Sequence, residues 1–172
     1  MGTLKVSTIQ GPSGSGGTAI QATNTNDTAA SGYFGELKSQ SRLRAAWTNL
    51  TSAATVNVTA NPNNLDPGNW FVSGSVAIRT EATTTITEID IAISAVSGTV
   101  PGVGAFAVPA GGEFVVVKKF NALVLGAGDT MIEIPPIPIS LAVTTPTYLV
   151  ANVTFGVASC AAYGSFWAWR PR

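Results

Sequence analysis

The sequence predicts an all-β protein, a jelly-roll-like β-sandwich of about eight strands over residues 33–172, preceded by an extended N-terminal arm over residues 1–32. Three observations lead there. Apolar residues recur with a period of two from Tyr33 onward, the spacing at which side chains of a strand share one face. Clusters of Gly, Pro, Asn and Asp punctuate these rows at regular intervals, as turns between short strands require. Composition changes near residue 32, because residues 11–32 are mostly Gly, Ser, Thr, Ala and Asn, too polar to offset the entropy of ordering them in a core.

The arm comes first. Gly11-Pro12-Ser13-Gly14-Ser15-Gly16-Gly17 reads as a leash. Ahead of it, Leu4, Val6 and the offset Ile9 form a short apolar segment suited to docking on another molecule; a frayed terminus is the alternative. In the sandwich, Glu36–Trp47 has helical propensity but reads slightly better as strand. Trp70, Val72, Gly74, Val76 and Ile78 face one way, and Phe71, Ser73, Ser75, Ala77 and Arg79 the other. Ile89, Ile91 and Ile93 alternate with Asp90, Ala92 and Ser94, and Ile137, Ile139, Leu141 and Val143 form a further row. Phe114–Val117 is apolar throughout, as in a strand covered on both faces. Thr147–Phe155 and Ala161–Trp169 read as the last two strands. Turns are expected at 61–64, 66–69, 97–98, 101–102, 111–112, 126–129 and 144–146.

The last strand is unusual in carrying aromatics on both faces, Phe166 on one and Trp167 and Trp169 on the other, followed by Arg170. Trp and Arg are enriched at buried interfaces, which makes Phe166, Trp167, Trp169 and Arg170 candidate subunit-interface residues. A central strand in a tightly packed sandwich is the competing reading.

Composition excludes several function classes. Charged residues make up 10% of the 172, with nine basic against nine acidic, whereas an average soluble domain has about 25%. No net field draws nucleic acid or an anionic membrane, and Lys118-Lys119 reads as a solvated strand edge. So little charge suits a surface that largely faces other copies or a partner. With no histidine, the Ser-His-Asp and Cys-His arrangements and the usual general base are missing, so no catalytic residue and no cofactor is assigned. One cysteine, Cys160, permits no internal disulfide and no zinc site and reads as a small apolar filler. Glu88 and Asp90 share a strand face, but outward solvated positions explain them better than a glycosidase-like pair or a calcium site. Asp66 and Asp129 read as turn caps. Gly11–Gly17 lacks the Lys-Ser/Thr and the strand-to-helix setting of a phosphate loop. Sugar stacking on Tyr33, Trp47 or Trp70 competes with core packing. Met1–Gln10 has no long apolar stretch of the kind a secretion signal carries, and prolines and acids break the apolar region 120–143 below membrane-spanning length.

Three stretches carry a family resemblance. Gly68-Asn69-Trp70-Phe71-Val72-Ser73-Gly74 resembles the G-D-W-x-V-S-G strand of small virion surface proteins of tailed bacteriophages. Leu141–Ala151 is similar to their penultimate strand, T-x-Y-L-V-A-x-A-T-F, and Ala162-Tyr163-Gly164 through Arg170-Pro171-Arg172 to their A-Y-G … A-R-R-V-R end. The opening Leu4–Gln10 is similar to the start of many phage fibre proteins. Trp167, Trp169 and Pro171 depart from the pattern. The resemblance implies a jelly-roll-like sandwich, a homotrimer, and a place on the virion surface after assembly in the host cytoplasm. The chain would then be a non-enzymatic capsid decoration (cement) protein, bound to the major capsid protein or another virion component through Leu4, Val6 and Ile9. A short head or tail fibre or receptor-binding tip is the alternative. A secreted carbohydrate-binding module or glycosidase fragment is the competitor from another class.

Overall fold

The computed structural model describes residues 35–101, 115–124 and 126–171, with backbone alone at 115–122. Leu4, Val6 and Ile9, the rest of the 1–32 arm, Tyr33, the 111–112 turn and the side chains of Val115–Val117 and Lys118-Lys119 lie outside the described residues.

The strands are β1 (Leu37–Arg42), β2 (Thr48–Asn49), β3 (Thr55–Asn57), β4 (Asn63–Leu65), β5 (Gly68–Thr80), β6 (Thr85–Ser94), β7 (Val115–Val124), β8 (Gly128–Leu141), β9 (Thr145–Gly156) and β10 (Cys160–Trp169), with one 3-10 turn at Arg44–Ala46. They form two five-stranded antiparallel sheets. One runs β1-β10-β5-β8, with β2 also on β10; the other runs β3-β9-β6-β7, with β4 also on β9. Counting β1/β2 and β3/β4 as one position each leaves eight positions in the jelly-roll order. The Glu36–Trp47 segment resolves into strand β1 and the 3-10 turn, consistent with the preference for strand.

Period-two alternation places the core. Trp70, Val72, Val76 and Ile78 of β5 point inward against Ile89, Ile91 and Ile93 of β6 and Leu149, Ala151 and Val153 of β9, in one buried cluster. Burying each such aliphatic side chain contributes about 1.5–3 kcal/mol. Where the alternation breaks, a bulge restores it. Ile86 and Ile89 are both buried although three residues apart, because Thr87 is an extra residue of β6 between the pairs Ile86↔Phe155 and Glu88↔Thr154. Ile134 and Ile137 have the same spacing, and the extra residue of β8 falls at Pro135-Pro136, where Val72↔Ile137 gives way to Gly74↔Ile134. The Ser73 hydroxyl donates to the Ile134 carbonyl there, 2.9 Å away.

Some turns are placed differently from expectation. Asn63–Leu65 is a short strand on β9, pairing with Thr145–Thr147, so that Thr145 and Pro146 also belong to a ladder. Asp129 belongs to β8. Gly98 and Gly126 keep their turn roles with φ of +61° and +73°. Cys160 is buried at the start of β10, and burial pushes its thiol up to about 11. Among the described residues no helix is long and apolar enough to cross a membrane.

β10 lies between β1 and β5, and its fit against β5 is tight. A Cβ on Gly164 would run into the Ser75 carbonyl oxygen and meet the Val76 Cα at 3.1 Å, both of them backbone of the neighbouring strand. Gly164→Ala is therefore expected to lower stability by about 1–3 kcal/mol, read as a fall in the urea midpoint. Gly128→Ala, where nothing lies within 4 Å of the added carbon, is the control and should leave the midpoint in place.

Candidate interaction face and clasp

The outward face of the β1-β10-β5-β8 sheet is graded from one end to the other. At one end Leu37, Trp169, Phe71 and Pro138 lie side by side across four strands. Phe71 and Trp169 stack with ring centroids 5.7 Å apart. Leu37 is 50% exposed and Trp167, in the next row, 38%. The middle row is polar: Ser41, Ser165, Ser75 and Glu133. The far end carries Asn49, Ala161, Arg79 and Asp129.

An ionic clasp sits at the apolar end, beneath this face. Arg170 Nε donates to Glu36 Oε2 at 2.8 Å, and Lys38 Nζ lies 3.4 Å from Glu36 Oε1 and 2.9 Å from Asp66 Oδ2. The Arg170 guanidinium lies 4.3 Å from the centre of the Trp70 ring and also donates to the Pro67 carbonyl. The Trp70 indole N–H donates to the Asp66 carbonyl at 2.8 Å. Glu36 is 3% exposed, so its charge depends on these partners. Gly68 makes room for the guanidinium: its φ is +132°, and a Cβ there would collide with Arg170 Nη1.

The clasp brings together two stretches far apart in sequence, the turn at Pro67-Gly68 that opens β5 and Arg170, which donates to Pro67 across 103 positions. Arg170, a candidate interface residue, is instead held within its own subunit, because a buried carboxylate and an indole face claim its guanidinium. Phe166 is likewise a correction, since it is 1% exposed and fills the core of its own chain. Trp167 and Trp169 do lie on the outward face. β10 is a central strand, between β1 and β5, as the competing reading has it.

At the polar end, the 3-10 turn, the end of β5 and the starts of β8 and β10 enclose a cleft of about 460 Å³. Trp47, 40% exposed, forms a wall with the Arg79 guanidinium 4.5 Å from its ring centre. Arg44 Nε pairs with Asp129 Oδ2 at 2.9 Å. The Tyr163 hydroxyl is raised above its ordinary value by desolvation and then by the Asp129 carboxylate, to which it hydrogen-bonds. Glu81 Oε1 accepts from the Ser159 hydroxyl at 2.8 Å.

The other candidates fall as follows. Trp70 is 1% exposed and belongs to the core, so of the proposed sugar-stacking aromatics among the described residues Trp47 alone reaches solvent. Asp66 pairs with Lys38, and Asp129, inside β8, pairs with Arg44. Glu88 and Asp90 are half-buried outward positions of β6, opposite Thr154 and Asn152. Among the described residues no three His, Cys, Asp or Glu side chains are grouped to hold a metal. Sequence reasoning missed the grouping of Arg44, Arg79 and Asp129. Outward parity placed Arg79, but only the register of β8 and the course of the 3-10 turn bring the other two beside it.

No protein-family model matches the chain, and no curated protein does. Three of the solved structures similar to it come from infectious bursal disease virus. The Gx-strain structure has 15% identity and a TM-score of 0.44, over 89% of this chain and 38% of that one. The Gt-strain structure has 17% identity and a TM-score of 0.39, over 83% and 30%. The T=1 particles derived from the virus have 14% identity and a TM-score of 0.46, over 90% and 36%. The chain thus spans little more than a third of those chains at most.

The clasp makes a prediction that separates it from an interface. Arg170→Met removes one of the two cations that meet the buried Glu36 carboxylate, Lys38 staying 3.4 Å away, and should cost about 1.5–3 kcal/mol. The double variant Arg170→Met/Glu36→Gln should cost less than Arg170→Met alone. Equilibrium unfolding of the three proteins gives the values. A normally stable Arg170→Met chain with a changed oligomer mass would instead make Arg170 an interface residue.

Proposed function

We propose that this chain is a non-enzymatic structural protein of a virus particle, working as a trimeric decoration on the outside of a tailed-bacteriophage head. The observation that carries the reading is the apolar end of the outward sheet face. Leu37, Trp169, Phe71 and Pro138 are continuous across four strands, and two tryptophans meet solvent there in a chain with little charge to keep copies apart. Such a face is covered when subunits pack around a symmetry axis. The resemblance of the Gly68–Gly74 and Ala162–Arg172 stretches to virion surface proteins points the same way, and the lack of any histidine supports a role without catalysis. Leu4, Val6 and Ile9 attach the chain to the major capsid protein or another virion component. A trimer bridging capsid subunits opposes shell expansion by adding interface, about 1,200–2,000 Å² in total for a standard contact, repeated over many copies.

A short fibre or receptor-binding tip is the second reading. The open Trp47 cleft, at the end of the face away from the apolar patch, favours it.

Immunogold labelling of intact virions tests the assignment. Gold over the whole head is expected; gold at one pole or on the tail would establish the fibre reading, and unlabelled particles would overturn the virion role. Deleting residues 1–32 should abolish attachment and leave the sandwich folded. The patch has its own test in light scattering. The wild-type chain should have three times its 17.6 kDa mass, and Leu37→Glu/Trp167→Glu should be monomeric with an unchanged circular dichroism spectrum. A trimer that survives both substitutions would show that copies meet elsewhere.

A further inference from the structure

We propose that the cleft beside Trp47 binds a saccharide bearing a carboxylate, through an aromatic wall and a guanidinium stacked on it. The inference rests on the cleft alone and does not depend on the virion reading. Its volume of about 460 Å³ lies within the range of about 300–1,000 Å³ usual for ligand sites.

Arg79 defines the ligand's charge. Its guanidinium lies over the Trp47 ring at 4.5 Å and forms no ion pair among the described residues. A guanidinium is a planar fork that meets a carboxylate with two parallel hydrogen bonds, and Asp129, the cross-strand neighbour of Arg79, is already paired with Arg44. Arg44, by contrast, is already neutralised by Asp129 at 2.9 Å.

The rest of the lining defines the ligand's body. Small residues, Ala161 and Gly128, leave the floor open to a ring. The exposed part of Trp47 offers an apolar surface to the C–H face of a pyranose. Around it stand donors and acceptors together: the Asn49 amide, the Ser159 hydroxyl and the Glu81 carboxylate. Hydroxyl groups, which both donate and accept, match such a mixed rim. A phosphate or nucleic acid does not, because Glu81 and Asp129 oppose a multiply charged anion and the chain carries no net charge.

An array of uronic-acid, sialic-acid and neutral oligosaccharides, probed with the full chain, tests this, and the best-bound glycan is then titrated by calorimetry. Binding confined to carboxylate-bearing glycans is expected, weakened at least tenfold by Trp47→Ala and by Arg79→Gln. Arg79→Lys keeps the charge but loses the planar fork and should weaken it too. Val96→Ser, exposed beyond the end of β6 on the other sheet, should leave it unchanged. Circular dichroism confirms that each variant is folded, and the conservative Arg79→Lys keeps the test open if Trp47→Ala is not. Equal binding of neutral glycans would overturn the carboxylate assignment. Absence of glycan binding, or binding indifferent to Trp47 and Arg79, would overturn the site.

Discussion

The buried carboxylate of Glu36 holds this sandwich closed. It sits just before β1 and is met by Arg170, just after β10, so one ion pair joins residues separated by 134 positions. The backbone carries the same junction, with Arg170 N–H donating to the Glu36 carbonyl at 3.0 Å. β1 and β2 pair with β10 and with no other strand among those described, so until the chain's final strand arrives they have no ladder. The fold thus depends on its most non-local contacts, a topology that makes folding slow and that gives a fully formed charge pair at the seam its importance. A lone Glu36 in that position would be an uncompensated charge in a low-dielectric site.

The edges of the sheets follow from the same closure. β8 ends the first sheet, and its outer run contains exposed Pro135, Pro136 and Pro138. Proline has no N–H to offer a further strand, and the bulge it occupies bends the edge away. The opposite edges are broken into short pieces, β1 with β2 and β3 with β4, which present little continuous ladder. Packing of copies through the outward face would therefore be compatible with the three sheet edges that resist open-ended strand addition, β7 being the fourth.

Much of this was legible in the sequence, and the limits have physical causes. Alternation put Trp70, Val72, Val76 and Ile78 on one face and Phe71, Ser73 and Arg79 on the other, because a strand's side chains have a period of two whatever its neighbours are, and the first face is the one that forms the core. The spacing of three in Ile86–Ile89 and Ile134–Ile137 was the trace of two bulges, visible as a break in pattern though not as a geometry. Asn63 and Asn64 read as part of a turn over 61–64 because Asn and Pro dominate locally, and pairing of Asn63–Leu65 with β9 overrode that propensity. Phe166 and Arg170 were grouped with the tryptophans because they are adjacent in sequence. Parity sends Phe166 to the other face, and Arg170 is taken by Glu36, a partner that no local pattern could indicate. Trp47 was a candidate by residue type alone. Its setting with Arg79, Arg44 and Asp129 depends on the register of three strands.

The scarcity of charge takes on a more definite meaning once the pairs are placed. Glu36, Lys38, Asp66 and Arg170 are gathered in the clasp, and Arg44 and Asp129 hold each other at the cleft. Six of the charges thus gather at the two ends of one sheet, and the row midway between them is serine apart from Glu133. Along β10 the eight steps from Ala161 to Trp169 separate those ends by about 26 Å. A subunit contact centred on Leu37, Trp169 and Phe71 would desolvate apolar groups and stacked rings while leaving the exposed Arg44 and the Trp47–Arg79 stack at the periphery. The gradient would therefore let one face serve both proposed purposes without conflict: the end that is costly to leave in water would pack, and the end that is costly to bury would stay wet and open to a ligand.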